Sequence, residues 1–227
     1  MRTVRRNCLA LVLLLAAGAA AAQTPATWRE GENYFLIQPA QPTNLPAGKV
    51  EVTEVFSYAC PACYRFFPTA DRLKSSLPAN AVMNYVPAAF NPSEDWPVFQ
   101  QAYYAAQALG IAAKTHDAMF NAVWQTGQLA IVDQGTDRLK DPLPSIENIA
   151  EFYHRAAGVS TEQFVAAANS FSTNVKTRQA DAFIQACQVD QTPTIIVNGK
   201  YRVTVPSAGG YDQLIALVKY LVAKESR

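Results

Sequence analysis

The chain has 227 residues, half of them hydrophobic, with 19 basic against 18 acidic side chains and a net charge of +1. So even a balance indicates neither nucleic acid nor an anionic membrane as a partner, since both select strongly basic surfaces. A chain of this length hides about 70% of its extended surface on folding, enough for one solid core or two small ones without disulfide staples.

Arg2, Arg5 and Arg6 precede an uncharged run from Cys8 to Ala22, too short to span a bilayer, with small residues at Ala20 and Ala22. This is the pattern of a secretory signal peptide over 1–22, with Gln23 opening the mature chain. Its removal leaves 16 basic and 18 acidic residues, a net charge of −2, and three cysteines: Cys60, Cys63 and Cys187. Structural bridges come in even sets, so the odd count points to one reactive pair and one inert thiol.

After a polar, Pro-rich lead-in at 38–48, the segment Lys49–Tyr58 is rich in Val, Thr, Phe and Tyr and reads as a central strand. It runs into Cys60-Pro61-Ala62-Cys63, after which Phe66, Ala70, Leu73 and Leu77 mark one buried stripe of a helix. A second strand is expected at about Ala81–Val86, before a turn at 87–97. Helical stripes then follow at Trp96/Phe99/Tyr103/Ala106, Met119/Phe120/Val123 and Ile146/Ile149/Tyr153/Ala156, with a capping box at Ser160 and Gln163. Residues 126–144 carry no clear pattern. A further helix over Val175–Cys187 leads to Thr192-Pro193 and the run Thr194–Val197, and Asn198-Gly199 turns it into a hairpin with Tyr201–Val203. Tyr211, Leu214, Ile215, Val218, Leu221 and Val222 share one face of the last helix. The expected fold is α/β: a thioredoxin-like domain from residues 23–90 and 172–227, with a helical insertion domain at 91–171.

Pro61 suits the first helical position, which makes Cys60 the N-cap, with the free N–H groups of Ala62 and Cys63 facing its sulfur. A thiol near pKa 8.5 must fall by about 1.5 units, or about 2 kcal/mol, to ionise at neutral pH. A helix dipole supplies roughly 0.3–1 kcal/mol, so amide hydrogen bonds must add the rest. Cys60 is then the attacking thiolate and Cys63, enclosed on the first turn, the resolving thiol. The competing reading of the CxxC, half of a zinc site, needs further ligands, and Cys187, His116 and His154 lie scattered over separate helices. Neither a metal nor a cofactor is expected.

Two segments carry a resemblance: Glu54-Val55-Phe56-Ser57-Tyr58-Ala59-Cys60-Pro61-Ala62-Cys63-Tyr64, and Thr192-Pro193 leading to Val197-Asn198-Gly199-Lys200-Tyr201. With them the mature chain resembles, over nearly its whole length, the DsbA family of periplasmic dithiol oxidases. The resemblance implies a monomer that donates a disulfide to newly exported proteins with free thiols, reoxidised by a membrane quinone-linked oxidase of the DsbB type. It also implies that Pro193 is cis and lies across from the CxxC, where with Thr192 it binds a substrate strand, and that Pro61, Ala62 and Glu54 tune the site.

Three residues depart from that pattern. Ala62 stands where the best-known members have histidine, which predicts a higher Cys60 pKa and a less oxidising pair than theirs. Thr192 stands where oxidases usually have valine and isomerases threonine, so isomerase or reductase activity is an alternative. Phe67 and Asn84 replace charged partners, leaving Glu54 either to relay protons to Cys63 or to sit as a solvated strand carboxylate. A non-catalytic binding or chaperone module with a structural CxxC bridge is a third function. Cys187 reads as a small hydrophobe, Pro68 as a bend in the helix, and neither histidine is assigned a role.

Overall fold

The structure is a computed structural model that describes residues 28–226 apart from 44 and 134, so the expected signal peptide at 1–22 lies outside the described residues. The chain begins with β1 (Phe35–Leu36) and β2 (Val50–Phe56), followed by α1 (Pro61–Ser76) and β3 (Ala81–Pro87). Next come α2 (Trp96–Ala108), α3 (Ala112–Trp124), the short strands β4 (Val132–Asp133) and β5 (Arg138–Leu139), α4 (Ile146–Ala157), α5 (Thr161–Ala168) and α6 (Phe171–Ala186). It closes with β6 (Thr194–Val197), β7 (Tyr201–Thr204), the single turn α7 (Val205–Ala208) and α8 (Tyr211–Glu225). No described helix is long and apolar enough to cross a membrane.

Five strands form one sheet in the order β1-β7-β6-β2-β3. β2 and β3 are parallel and joined through α1, as a parallel pair requires, while β6 runs antiparallel to β2. Period-two alternation sorts the strand residues between two cores, except that Phe56, at the end of β2, joins the same one as Val55. Val50, Val52, Ile195 and Val197 join Phe66 and Leu73 of α1 and Leu214, Leu217, Val218 and Leu221 of α8. Val55, Phe56 and Ile196 join Phe99, Tyr103, Met119, Phe120, Ile149 and Tyr153 of the helices between β3 and β6. The sheet is therefore covered by both halves of the molecule, and β2 is nearly fully buried. This is the thioredoxin-like α/β fold.

Asn198 and Gly199 have φ of 52° and 64°, the paired positive values a two-residue hairpin turn demands. A Cβ on Gly199 would collide with the Gln41 carbonyl, because Gln41 N–H donates to the Gly199 carbonyl at 2.9 Å. That contact, with Ile37 N–H donating to the Lys200 carbonyl at 2.8 Å, anchors the lead-in. It also places β1 on β7, a strand the sequence reading lacks because two residues carry no periodicity.

Other local differences have equally plain causes. α6 starts at Phe171, capped by Ser170, four residues before the expected Val175, because Phe171 faces solvent and the polar Ser172, Thr173 and Asn174 show no stripe. In α4 the inward face uses Ile149, Phe152 and Tyr153, and Ala156 is exposed. Residues 126–144 contain the β4–β5 hairpin. The capping box expected at Ser160 and Gln163 is present, and a second one, Ser145 with Asn148, opens α4.

Candidate active site

β2 ends at Phe56, and residues 57–60 turn the chain into α1, with Cys60 N–H donating to the Ser57 carbonyl at 3.1 Å. Cys60 is the N-cap of α1, with extended φ and ψ of −89° and 117° and Pro61 following at the first helical position. Its sulfur accepts the Cys63 N–H at 3.4 Å. β6, antiparallel to β2, starts at the same end of the sheet, so the residues just before it meet the CxxC. The Thr192-Pro193 bond is cis, and the Cys60 thiol donates to the Thr192 carbonyl at 3.5 Å.

These contacts act unequally on the two thiols. The Cys60 thiol is drawn down from 9.0 to about 6: the Cys63 thiol donates to its sulfur, burial opposes, and the Thr192 hydroxyl and the Cys63 and Ala62 N–H groups add to the lowering. The Cys63 thiol, 0% exposed, is pushed well above 9.0 by burial, by its bond to Cys60 and by the nearby charges of Cys60 and Glu54. One sulfur is thus an anion at neutral pH and the other holds its proton. Both are unbonded here, as is Cys187.

Glu54 lies on β2 opposite Tyr85 and Ile195 and is only 1% exposed. The expectation of a solvated strand carboxylate is therefore corrected: the chain surrounds Glu54 on both sheet faces. Its Oε2 has no hydrogen-bond partner, and its pKa rises from 4.5 to about 8 through burial first, then the charges of Asp71 and Cys60. Phe67 stacks on Phe120 at 5.4 Å and 9°, and Asn84 lines a cavity of about 370 Å³ with Asp71, Tyr85, Tyr103 and His116.

Of the sequence candidates, Cys60, Pro61, Ala62, Cys63, Thr192 and Pro193 come together at this end of the sheet, and Glu54 lies on β2 within electrostatic reach of both thiols. Pro61 is exposed and Ala62 half-buried, so the residues between the cysteines border solvent. Cys187 is buried at the C-cap of α6, its thiol pushed up to about 12 by burial. His154 is exposed, with Nδ1 against the Val159 carbonyl at 3.0 Å. Among the described residues no group of three or more His, Cys, Asp or Glu could hold a metal ion. The sequence reading gave no role to Tyr58, His116 or Trp124, although the Tyr58 hydroxyl meets His116 Nδ1 at 2.9 Å and the Tyr58 carbonyl accepts from Trp124 Nε1 at 2.8 Å beside the site.

The geometry has known counterparts. The thioredoxin family model, described as "Thioredoxin", matches residues 45–217. A thiol:disulfide interchange protein DsbA of Pseudomonas aeruginosa is 32% identical over 222 residues, 98% of this chain and 97% of that one. Its namesake from Burkholderia cepacia is 34% identical over 196 residues, 86% of this chain and 84% of that one. Among solved structures, the Xylella fastidiosa oxidoreductase DsbA superimposes with a TM-score of 0.74 at 32% identity, covering 86% of this chain and 96% of that one. Pseudomonas aeruginosa DsbA gives 0.73 at 32%, covering 87% and 94%.

Proposed function

The chain belongs to the DsbA family of thiol:disulfide oxidoreductases, and from that premise we propose that it oxidises dithiols of newly exported proteins in the periplasm. The observation that carries the direction is the Cys60 thiol held near pKa 6 at the start of α1, since a stabilised thiolate favours the reduced pair and makes its disulfide a ready donor.

In the oxidised protein a substrate thiolate attacks the Cys60 sulfur, the Cys60–Cys63 bond breaks, and Cys63 leaves with the electron pair. A second substrate thiolate attacks the substrate sulfur of the mixed disulfide. The substrate disulfide forms and Cys60 departs as the thiolate its N-cap position favours. Cys63 is a poor buried anion and needs a proton as it leaves. Glu54, with a carboxyl near pKa 8, holds one at neutral pH and gives it to Cys63. Thr192 and Pro193 receive the substrate backbone, and Pro61 and Ala62 set the sulfur's surroundings. Reoxidation falls to a membrane quinone-linked oxidase of the DsbB type.

A second reading, an isomerase or reductase that works from the dithiol, rests on the identity of Thr192, the residue such isomerases usually carry where oxidases carry valine. Resting redox state separates the two. Trapping living cells with a thiol alkylator should find Cys60 and Cys63 bonded, and Cys63→Ser should accumulate mixed disulfides with exported proteins. A pair found predominantly free overturns the oxidase assignment in favour of the second reading.

A further inference from the structure

The turn that delivers Cys60 is gripped by a helix from the insertion. A carbonyl in the middle of a tight turn points away from it and finds no partner there. The Tyr58 carbonyl instead accepts from Trp124 Nε1 at 2.8 Å. The phenol of the same residue meets His116 Nδ1 at 2.9 Å. Both partners belong to α3, eight residues or about 12 Å of helix apart. The Trp124 indole also stacks on Tyr64 with centroids 6.2 Å apart and planes at 22°. Tyr64 follows Cys63 directly, and its N–H donates to the Cys60 carbonyl at 3.1 Å. One half-buried tryptophan thereby touches the residues on either side of the CxxC.

We propose that Trp124 is a positioning residue for disulfide exchange: by holding the Tyr58 carbonyl and the Tyr64 ring it fixes the turn that aims the Cys60 sulfur, making the helical insert part of the redox centre. The proposal rests on the oxidoreductase assignment above. The Cys63 N–H that stabilises the thiolate lies 3.4 Å from the sulfur. A hydrogen bond weakens as its angle and length depart from their best values, so a rotation of residues 57–60 loosens it. His116 secures the far end of Tyr58, which leaves the carbonyl as the point that Trp124 alone controls.

The test is Trp124→Phe, which keeps a flat ring for Tyr64 and deletes the N–H. Thiolate absorbance of the reduced protein should titrate at higher pH than in wild type. The glutathione equilibrium should move toward the protein disulfide by about threefold to tenfold, the factor one neutral hydrogen bond commands. Trp124→His, which restores a ring N–H, should recover part of both shifts. Wild-type titration and equilibrium in Trp124→Phe overturn the proposal. Should that variant not fold, the indole N–H of the unaltered protein decides by NMR: slow hydrogen exchange and a resonance that moves between dithiol and disulfide forms support the clamp, and fast exchange with no movement refutes it. Failure of wild type itself to exchange with glutathione would instead sink the oxidoreductase assignment.

Discussion

Replacing Glu54 by glutamine removes a carboxyl that the fold keeps protonated at a cost, and the cost follows from titration. The carboxyl has a pKa of 4.5 when free and about 8 in the folded dithiol protein. A folded pKa above the unfolded one means that the native state binds the extra proton, so stability is complete below pH 4.5 and declines as pH rises to about 8. At pH 7 the linkage amounts to about 3 kcal/mol, because the unfolded chain is fully ionised there while the folded one still carries most of its proton. Glu54→Gln deletes this term. It must still house an amide where Oε2 has no partner, which takes back about 1–3 kcal/mol. The net gain at neutral pH is therefore small, and the slope against pH is the clean readout. Urea unfolding of the reduced proteins at steps from pH 4 to 8.5 should show wild type losing stability relative to Glu54→Gln as pH rises. Parallel curves across that range refute a buried carboxyl of raised pKa. Slower formation of the mixed disulfide from the oxidised glutamine variant, at unchanged titration of Cys60, would separately support proton donation to Cys63.

Three further perturbations probe other parts of the site and frame. Thr192→Val removes a hydroxyl that lowers the Cys60 thiol, so the thiolate absorbance should titrate above the value near 6 and alkylation at pH 6 should slow; an unshifted titration contradicts this account of the thiolate. Ala62→His places an imidazole beside the sulfur and should lower the Cys60 pKa and make the disulfide more oxidising in a glutathione buffer, with identical potentials counting against it. Gly199→Ala should cost more than about 1 kcal/mol of stability in thermal unfolding, because φ is 64° and the added methyl meets the Gln41 carbonyl, while activity per folded molecule stays unchanged.

The redox end of the molecule was legible in the residues because its chemistry is local. Cys60, Pro61 and Cys63 share one helix start, and hydrogen bonds within three residues set their geometry. Asn198-Gly199 is equally local, since φ is positive at both positions. Sequence was silent where the cause lies far along the chain. The two-residue strand β1 exists because β7 offers it an edge some 165 residues later. Glu54 looks polar in isolation and becomes a buried acid only once β3, β6 and the helices close around it. Trp124 meets Tyr58 across 66 positions, and nothing near either residue signals that meeting.

Cys187 has a consequence for the chain's own maturation. A protein synthesised from its N-terminus presents Cys60 and Cys63 together, and another 124 residues must emerge before Cys187 exists to compete. By the time it appears, packing at the end of α6 withdraws it from chemistry, so alkylation should reach Cys187 only after denaturation. Scrambled isomers joining residue 187 to either partner can arise only in molecules that have lost that helix end, which makes them a sensitive record of misfolding.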